Sequence, residues 1–285
     1  MTFRHYLELM KLRIGVMIAL TAVMGYVAVA DEVSVVQMAV LALAMLLGSA
    51  ASSVFNHFYD RDIDRLMTRT ARRPLASGAA QKPVMVLWFA GLLLALGLGL
   101  SSWAFNMVVS LHLFLGAFVY AVVYTVWLKR RTWLNIVIGG AAGSFAVLAG
   151  AAAVDPSIWL LPLLLAVTLF LWTPSHFWSL AILLKEDYAQ AGIPMLPVLV
   201  GEKRTADAIL INSVLLVGSA LLPWMLGELG WIYGAGSSLL GAWFLWLNWR
   251  LCRNPSRPLA RKNFFASMLY LVGLFFAVLA DVNWA

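Results

Sequence analysis

Charge of either sign is scarce in this chain, and cysteine is nearly absent. Charged residues make up 12% of its 285 positions, and Cys252 is the single cysteine. One thiol excludes an intramolecular disulfide and a cysteine-based metal cluster. Low-complexity tracts and soluble appendages are also missing, so residues 1–285 are expected to form one all-α transmembrane domain. The first apolar stretch has no small-residue cleavage site and is followed by others like it. Neither a signal peptide nor an Arg/Ser-rich transit peptide is therefore expected.

What is present is apolar. Hydrophobic residues account for 63% of the chain, and the mean hydropathy is +0.88. Nine hydrophobic segments stand out, at roughly 14–30, 35–58, 83–103, 106–127, 135–154, 157–184, 206–226, 231–249 and 264–281. Segments of this length cross the ~30 Å hydrocarbon core of a bilayer. All twenty Lys and Arg residues fall on alternate connections. Arg4, Lys11 and Arg13 precede the first segment; Arg61, Arg65, Arg69, Arg72, Arg73 and Lys82 follow the second. Lys129, Arg130 and Arg131 follow the fourth, Lys185, Lys203 and Arg204 the sixth, and Arg250, Arg253, Arg257, Arg261 and Lys262 the eighth. The other turns and the C-terminal end carry Asp31, Glu32, Asp155, Glu228 and Asp281. The positive-inside rule then predicts a multi-pass protein with its N-terminus cytoplasmic and its C-terminus outside, most simply in a bacterial inner (cytoplasmic) membrane. The net charge of +7 reflects that orientation and contact with anionic lipid, and nucleic acid is not an expected partner.

Acidic residues at the end of an apolar run need a reason, because ionisable groups at membrane depth are costly. The second segment ends in Asn56-His-Phe-Tyr-Asp-Arg-Asp-Ile-Asp64. Asn56, Asp60 and Asp64 recur at i, i+4 and i+8, which on a helix stacks them along one face with ~6 Å of rise per step. Side by side, Asp60 and Asp64 repel each other. A hard divalent cation such as Mg2+, which prefers oxygen ligands and bridges to substrate phosphates, turns that repulsion into a binding site. Asp62 points the other way and is expected to pair with Arg61 or Arg65. Arg65, Arg69, Arg72 and Arg73 are placed to clamp phosphate oxygens. Lys129 and Arg130 belong to the same face of the membrane.

A second acidic motif lies four segments later. Trp172-Thr-Pro-Ser-His-Phe-Trp178 leads into Glu186-Asp187-Tyr-Ala-Gln-Ala-Gly-Ile-Pro-Met-Leu-Pro197. Pro174 is expected to open the backbone ladder and leave carbonyls for neighbours to satisfy. His176 has two readings: a hydrogen-bonded core residue, or, among Trp172, Phe177 and Trp178, a ligand to haem iron. Gly139 and Gly143 have the spacing that lets membrane helices approach closely, a packing role.

Taken together these stretches resemble the UbiA superfamily of intramembrane prenyltransferases, and within it the haem-farnesylating branch. The similarity runs over most of the chain. It is strongest at Asn56–Asp64, Tyr124–Thr132, Asn135–Gly143, Phe170–Trp178 and Asp187–Pro197. Asp187 is followed by Ala191, where quinone-type members of the superfamily carry a second Asp. The chain departs from the branch at Ala146-Val147, usually Pro-Pro, at Ser175, usually Pro, and at Lys11-Leu12-Arg13, usually Lys-Pro-Arg. These changes spare the motif carboxylates and bear on the acceptor pocket.

The resemblance implies nine transmembrane helices around a central cavity and transfer of a farnesyl group from farnesyl diphosphate to the 2-vinyl group of haem b. Water addition then gives haem O for haem-copper terminal oxidases. It implies Mg2+ as cofactor, held by Asn56, Asp60, Asp64 and Asp187. Arg13, Arg73, Lys129 and Arg130 would bind the diphosphate, with His176 or His57 a candidate haem contact. Haem A synthase or oxidase-assembly proteins are possible partners. Another aromatic or tetrapyrrole acceptor is the alternative within this chemistry. A transporter fits less well, because the charges crowd at one membrane face and not at the midplane.

Overall fold

A computed structural model describes residues 2–78 and 84–284. Lys82 and the expected start of the third segment at residue 83 lie outside the described residues. All secondary structure described is helical. This is the expected outcome for apolar runs that cross lipid, where each backbone amide and carbonyl must be satisfied within its own segment. A short helix α1 (Phe3–Met10) turns at Lys11 into α2 (Leu12–Val27), and α3 (Val35–Tyr59) leads to the single turn α4 (Arg61–Asp64). Then come α5 (Val84–Ala104), α6 (Met107–Phe118) and its continuation Val119–Leu128, α7 (Asn135–Gly139) and α8 (Ala141–Ala152). The remainder is α9 (Leu160–Leu183), α10 (Lys185–Gln190), α11 (Leu196–Met225), α12 (Trp231–Arg253) and α13 (Arg257–Trp284).

Helical segments occupy all nine predicted runs, though not all of them are long and apolar enough to count as membrane spans. Among the described residues, seven helices are long and apolar enough to cross a membrane, and Leu12–Val27 is a shorter apolar helix. Trp231–Arg253 is not among the seven; it carries Asn248, Arg250 and Arg253 in its last turns.

Hydrogen bonds and ion pairs bring the basic connections together at one end of the bundle. Lys11 bonds Asn56, Lys129 pairs with Asp60, the Arg69 amide bonds Asp187, and Arg257 pairs with Glu186. The opposite face has its own ties. Asn106 caps α6 by accepting from the Val108 and Val109 amides and reaches the Ala152 carbonyl. Asp281 of α13 caps α12 from outside its own chain segment, accepting from the Gly230 and Tyr233 amides.

The tightest approach joins α2 and α8. A Cβ built on Gly150 would sit 1.9 Å from the Ala22 carbonyl oxygen, and one on Gly25 would sit 2.3 Å from that of Val147. Of the pair singled out in the sequence, Gly139 is tight, its Cβ meeting Tyr124 at 2.7 Å, whereas Gly143 has ordinary clearance of 3.7 Å. The two face different neighbours, Tyr124 and Leu169, so they do not make one contact.

Pro174 does not interrupt α9. Asn212 of α11 donates to the Leu171 carbonyl at 2.6 Å and to Ser175 Oγ at 2.7 Å, serving the backbone beside the proline. Ser175 then meets Ser213, Ser213 donates to Asn248, and Asn263 bridges Asn248 and Ser179. This buried polar seam ties α9, α11, α12 and α13. Such bonds contribute about 0.6 kcal/mol each on average in membrane proteins.

Candidate active site

The α3 helix ends at Tyr59, yet its register carries through the motif. The Asp60 amide donates to Asn56 O at 2.9 Å, and the Asp64 amide to Asp60 O at 2.8 Å. Asn56, Asp60 and Asp64 therefore stack as the spacing predicts. All three are buried, at 3%, 0% and 1% exposure. Buried carboxylates require partners, and the structure supplies cations. Lys129 pairs with Asp60 Oδ2, which also accepts from Asn56 Nδ2 at 2.7 Å. Arg73 meets Asp64 Oδ2 at 2.8 Å. Arg130 grips both oxygens of Asp62 at 2.7 Å and lies 3.7 Å from Asp60 Oδ1. Asp62 thus has an ion-pair partner as expected, but that partner is Arg130, not Arg61 or Arg65. The hydrogen bonds from Arg130 hold the Asp62 carboxyl below its usual range.

Two residues enter the site that sequence spacing does not reveal. Lys11 donates from Nζ to Asn56 Oδ1 at 2.7 Å and to Tyr120 Oη at 3.3 Å. Burial, then the nearby Arg73 and Lys129 cations, push its ammonium down to about 7. Thr125 Oγ1 accepts from Asn56 Nδ2 at 3.1 Å. Both Tyr120 and Thr125 sit in Val119–Leu128, which is wound as a π-helix: the Lys129 amide reaches back five residues to Tyr124 O. Turns of this kind are rare and concentrate at functional sites.

The remaining sequence candidates are placed as follows. Arg13 is exposed and has no ion pair among the described residues. Arg69 and Arg72 are exposed beside the motif, and the Arg69 amide donates to Asp187 Oδ2 at 3.3 Å. Asp187 therefore reaches the 65–78 segment and does not join Asp60 and Asp64 directly. Among the described residues, no three His, Cys, Asp or Glu side chains converge to hold a metal by themselves. His176 is sandwiched between Trp172 and Phe264 at 4.3 and 4.5 Å, with Nδ1 bonded to Ser267 Oγ at 2.7 Å, the pattern of a satisfied core histidine. His57 is buried with both ring nitrogens unpartnered.

The donor set still fits a divalent cation, with Asn56 and substrate oxygens completing it. Asp60 Oδ1 and Asp64 Oδ1 are buried acceptors with no hydrogen-bond donor, and each is costly in that state. Arg73, Lys129 and Arg130 balance Asp60, Asp62 and Asp64, and Lys11, held near half-charge at neutral pH, gains its full charge when an anion arrives. Next to Tyr120 opens a partly open cavity of ≈ 80 Å³ between α2, α3, α6 and α8. Its wall includes Ser53, Met45, His112, Leu113 and Ala146.

Comparison with known proteins follows this geometry. Residues 14–278 match the UbiA prenyltransferase family. The chain is 63% identical, over 100% of both sequences, to protoheme IX farnesyltransferase 1 of Paramagnetospirillum magneticum. It is 43% identical to the protoheme IX farnesyltransferase of Alkalilimnicola ehrlichii, over 98% of this chain and 92% of that one. In fold it is similar to a UbiA homologue from Archaeoglobus fulgidus bound to DMAPP and Mg2+, with TM-score 0.72 at 20% identity over 96% and 98% of the two chains. A structure of digeranylgeranylglyceryl phosphate synthase gives TM-score 0.81 at 21% identity over 98% of each.

Proposed function

The chain belongs to the UbiA prenyltransferase family, and from that premise we propose that it transfers the farnesyl group of farnesyl diphosphate to the 2-vinyl group of protohaem IX. Water adds in the same reaction, and the products are haem O and diphosphate. The observation that carries the donor half is the buried Asn56–Asp60–Asp64 row, with two unpartnered carboxylate oxygens inside a ring of cations. The acceptor half is supported by the full-length relatives, whose names specify protohaem IX.

Asp60 Oδ1, Asp64 Oδ1 and Asn56 Oδ1 would hold Mg2+, with Asp187 approaching from the far side of the diphosphate. Bound there, the ion supplies Lewis-acid stabilisation of charge developing on the leaving group. Lys11, Arg73 and Lys129 bind diphosphate oxygens and stabilise the same charge as the allylic C–O bond breaks. For that they must turn from Asn56, Asp64 and Asp60 towards substrate, so the internal ion pairs act as placeholders. The cavity beginning at Tyr120 receives the prenyl chain and keeps water from the allylic cation. Electrons of the haem vinyl group then form the new C–C bond, and water takes up the cation left on the vinyl carbon, releasing a proton.

The site is read as facing the cytoplasm in a bacterial inner membrane. An assay of purified protein with haem b, farnesyl diphosphate and Mg2+, reading pigments by mass, tests the proposal. Haem O should appear, fall to background on chelation and return with added Mg2+. Asp60→Ala should keep less than about 1% of turnover, in line with removal of a transition-state charge contact. Near-normal turnover in a folded Asp60→Ala protein would overturn the placement of the metal.

A further inference from the structure

On the reading that farnesyl diphosphate sits at the Asn56–Asp64 row, we propose that His112 fixes the length of the prenyl chain by closing the far end of the Tyr120 cavity. The diphosphate is held at the basic face, and the carbon chain must leave it into apolar space. That space is bounded on α3 from Ser53 to Met45, and on the α6–π helix from Tyr120 to His112. Both intervals are eight residues, or about 12 Å of depth at the helical rise. A prenyl chain advances by four main-chain bonds per unit. With C–C bonds of about 1.5 Å laid in zigzag, three units need on the order of 12–14 Å. A fourth unit has to pass the floor.

On α3 and α6 the lining residues farthest from the basic end are Met45, His112 and Leu113, and they are not equally movable. Leu113 is 5% exposed and jammed against α3, since a Cβ on Gly48 would meet its Cδ2 at 2.8 Å. Met45 is 3% exposed and belongs to the core between α2, α3 and α8. His112 is only half-buried, stacks on Phe145 with ring centroids 6.0 Å apart, and makes no side-chain hydrogen bond among the described residues. Its Nδ1 is buried without a partner. The ring is thus held by packing alone, so changing its size alters the floor without breaking a hydrogen bond. None of the groups assigned to metal or diphosphate touches it.

The experiment compares wild type, His112→Ala and His112→Trp in diphosphate release with haem b and Mg2+. The donors are geranyl, farnesyl and geranylgeranyl diphosphate. Each protein is scored by ratios of kcat/KM between donors, which cancel differences in the folded fraction. His112→Ala should raise the geranylgeranyl-to-farnesyl ratio at least tenfold. His112→Trp should raise the geranyl-to-farnesyl ratio at least tenfold, the scale on which apolar pockets discriminate chain length. Ratios within twofold of wild type in both variants would overturn the role of His112 while leaving the farnesyl reading intact. Absence of release from all three donors by wild type would overturn that reading, and this proposal with it.

Discussion

A lysine held in a left-handed backbone conformation carries a strain that glycine would not. Lys11, at φ 47°, is the one non-glycine residue with positive φ among the described residues. The turn between α1 and α2 swings its ammonium into the Asn56 carboxamide and leaves Arg13 outside. Lys11→Met should therefore lower kcat/KM for farnesyl diphosphate by about 100-fold. Arg13→Ala should stay within about threefold of wild type; steady-state kinetics on both variants decides between the two cations. The carboxylate row was legible at this scale because i, i+4 spacing is a property of the chain alone. Lys11 was not, because nothing in Lys-Leu-Arg shows that the helix breaks there. Nor was the pairing of Arg130 with Asp62, which depends on α3 and the 129–131 turn arriving together.

Helices α2 and α8 meet where Gly25 and Gly150 remove side chains from both. Gly150→Val puts atoms into the Ala22 carbonyl, and the overlap should cost about 3 kcal/mol or more. The expected result is loss of the monodisperse peak in detergent, with Gly143→Ala as the control that keeps it. At the opposite face, Asp281→Ala removes the acceptor for the first amides of α12. It should cost about 1–2 kcal/mol, the range for a lost helix cap, read as a lower Tm with the donor-site kinetics unchanged. Where the apolar runs lay was readable from composition, and so was the break at the acidic motif. GxxxG spacing flagged Gly139, which is tight, but not Gly25 and Gly150, because that close pair lies on two different helices. Pro174 was read as leaving carbonyls for neighbours, and Asn212 serves the Leu171 carbonyl; which helix would supply the donor was not legible.

At the scale of the whole molecule, the ties between basic connections among the described residues are those expected if the alternation of charge holds. With Cys252→Ser as background, a single cysteine can be placed at either end by Glu228→Cys or Asn254→Cys. A membrane-impermeant maleimide should label the first in intact spheroplasts and the second only in inside-out vesicles. Labelling of both from one side would overturn the alternation. Sidedness was read from charge counts, which tolerate small errors in span boundaries, and the labelling experiment decides it. The number of spans turns on Trp231–Arg253, a bundle helix whose Gly, Ser, Tyr and Trp residues dilute its apolarity.

The π-wound segment Val119–Leu128 has a consequence for phase. Tyr120 and Lys129 are nine residues apart, which in an α-helix is two and a half turns, so the two side chains would point in opposite directions. A winding that spends more than four residues per turn brings the same nine residues to about two turns. Tyr120, Thr125 and Lys129 then fall on one line, where they meet Lys11, Asn56 and Asp60 in turn. The segment works as a counter: remove one residue from it and every letter of the motif survives, while the lysine is swung about a quarter turn from the aspartate it serves.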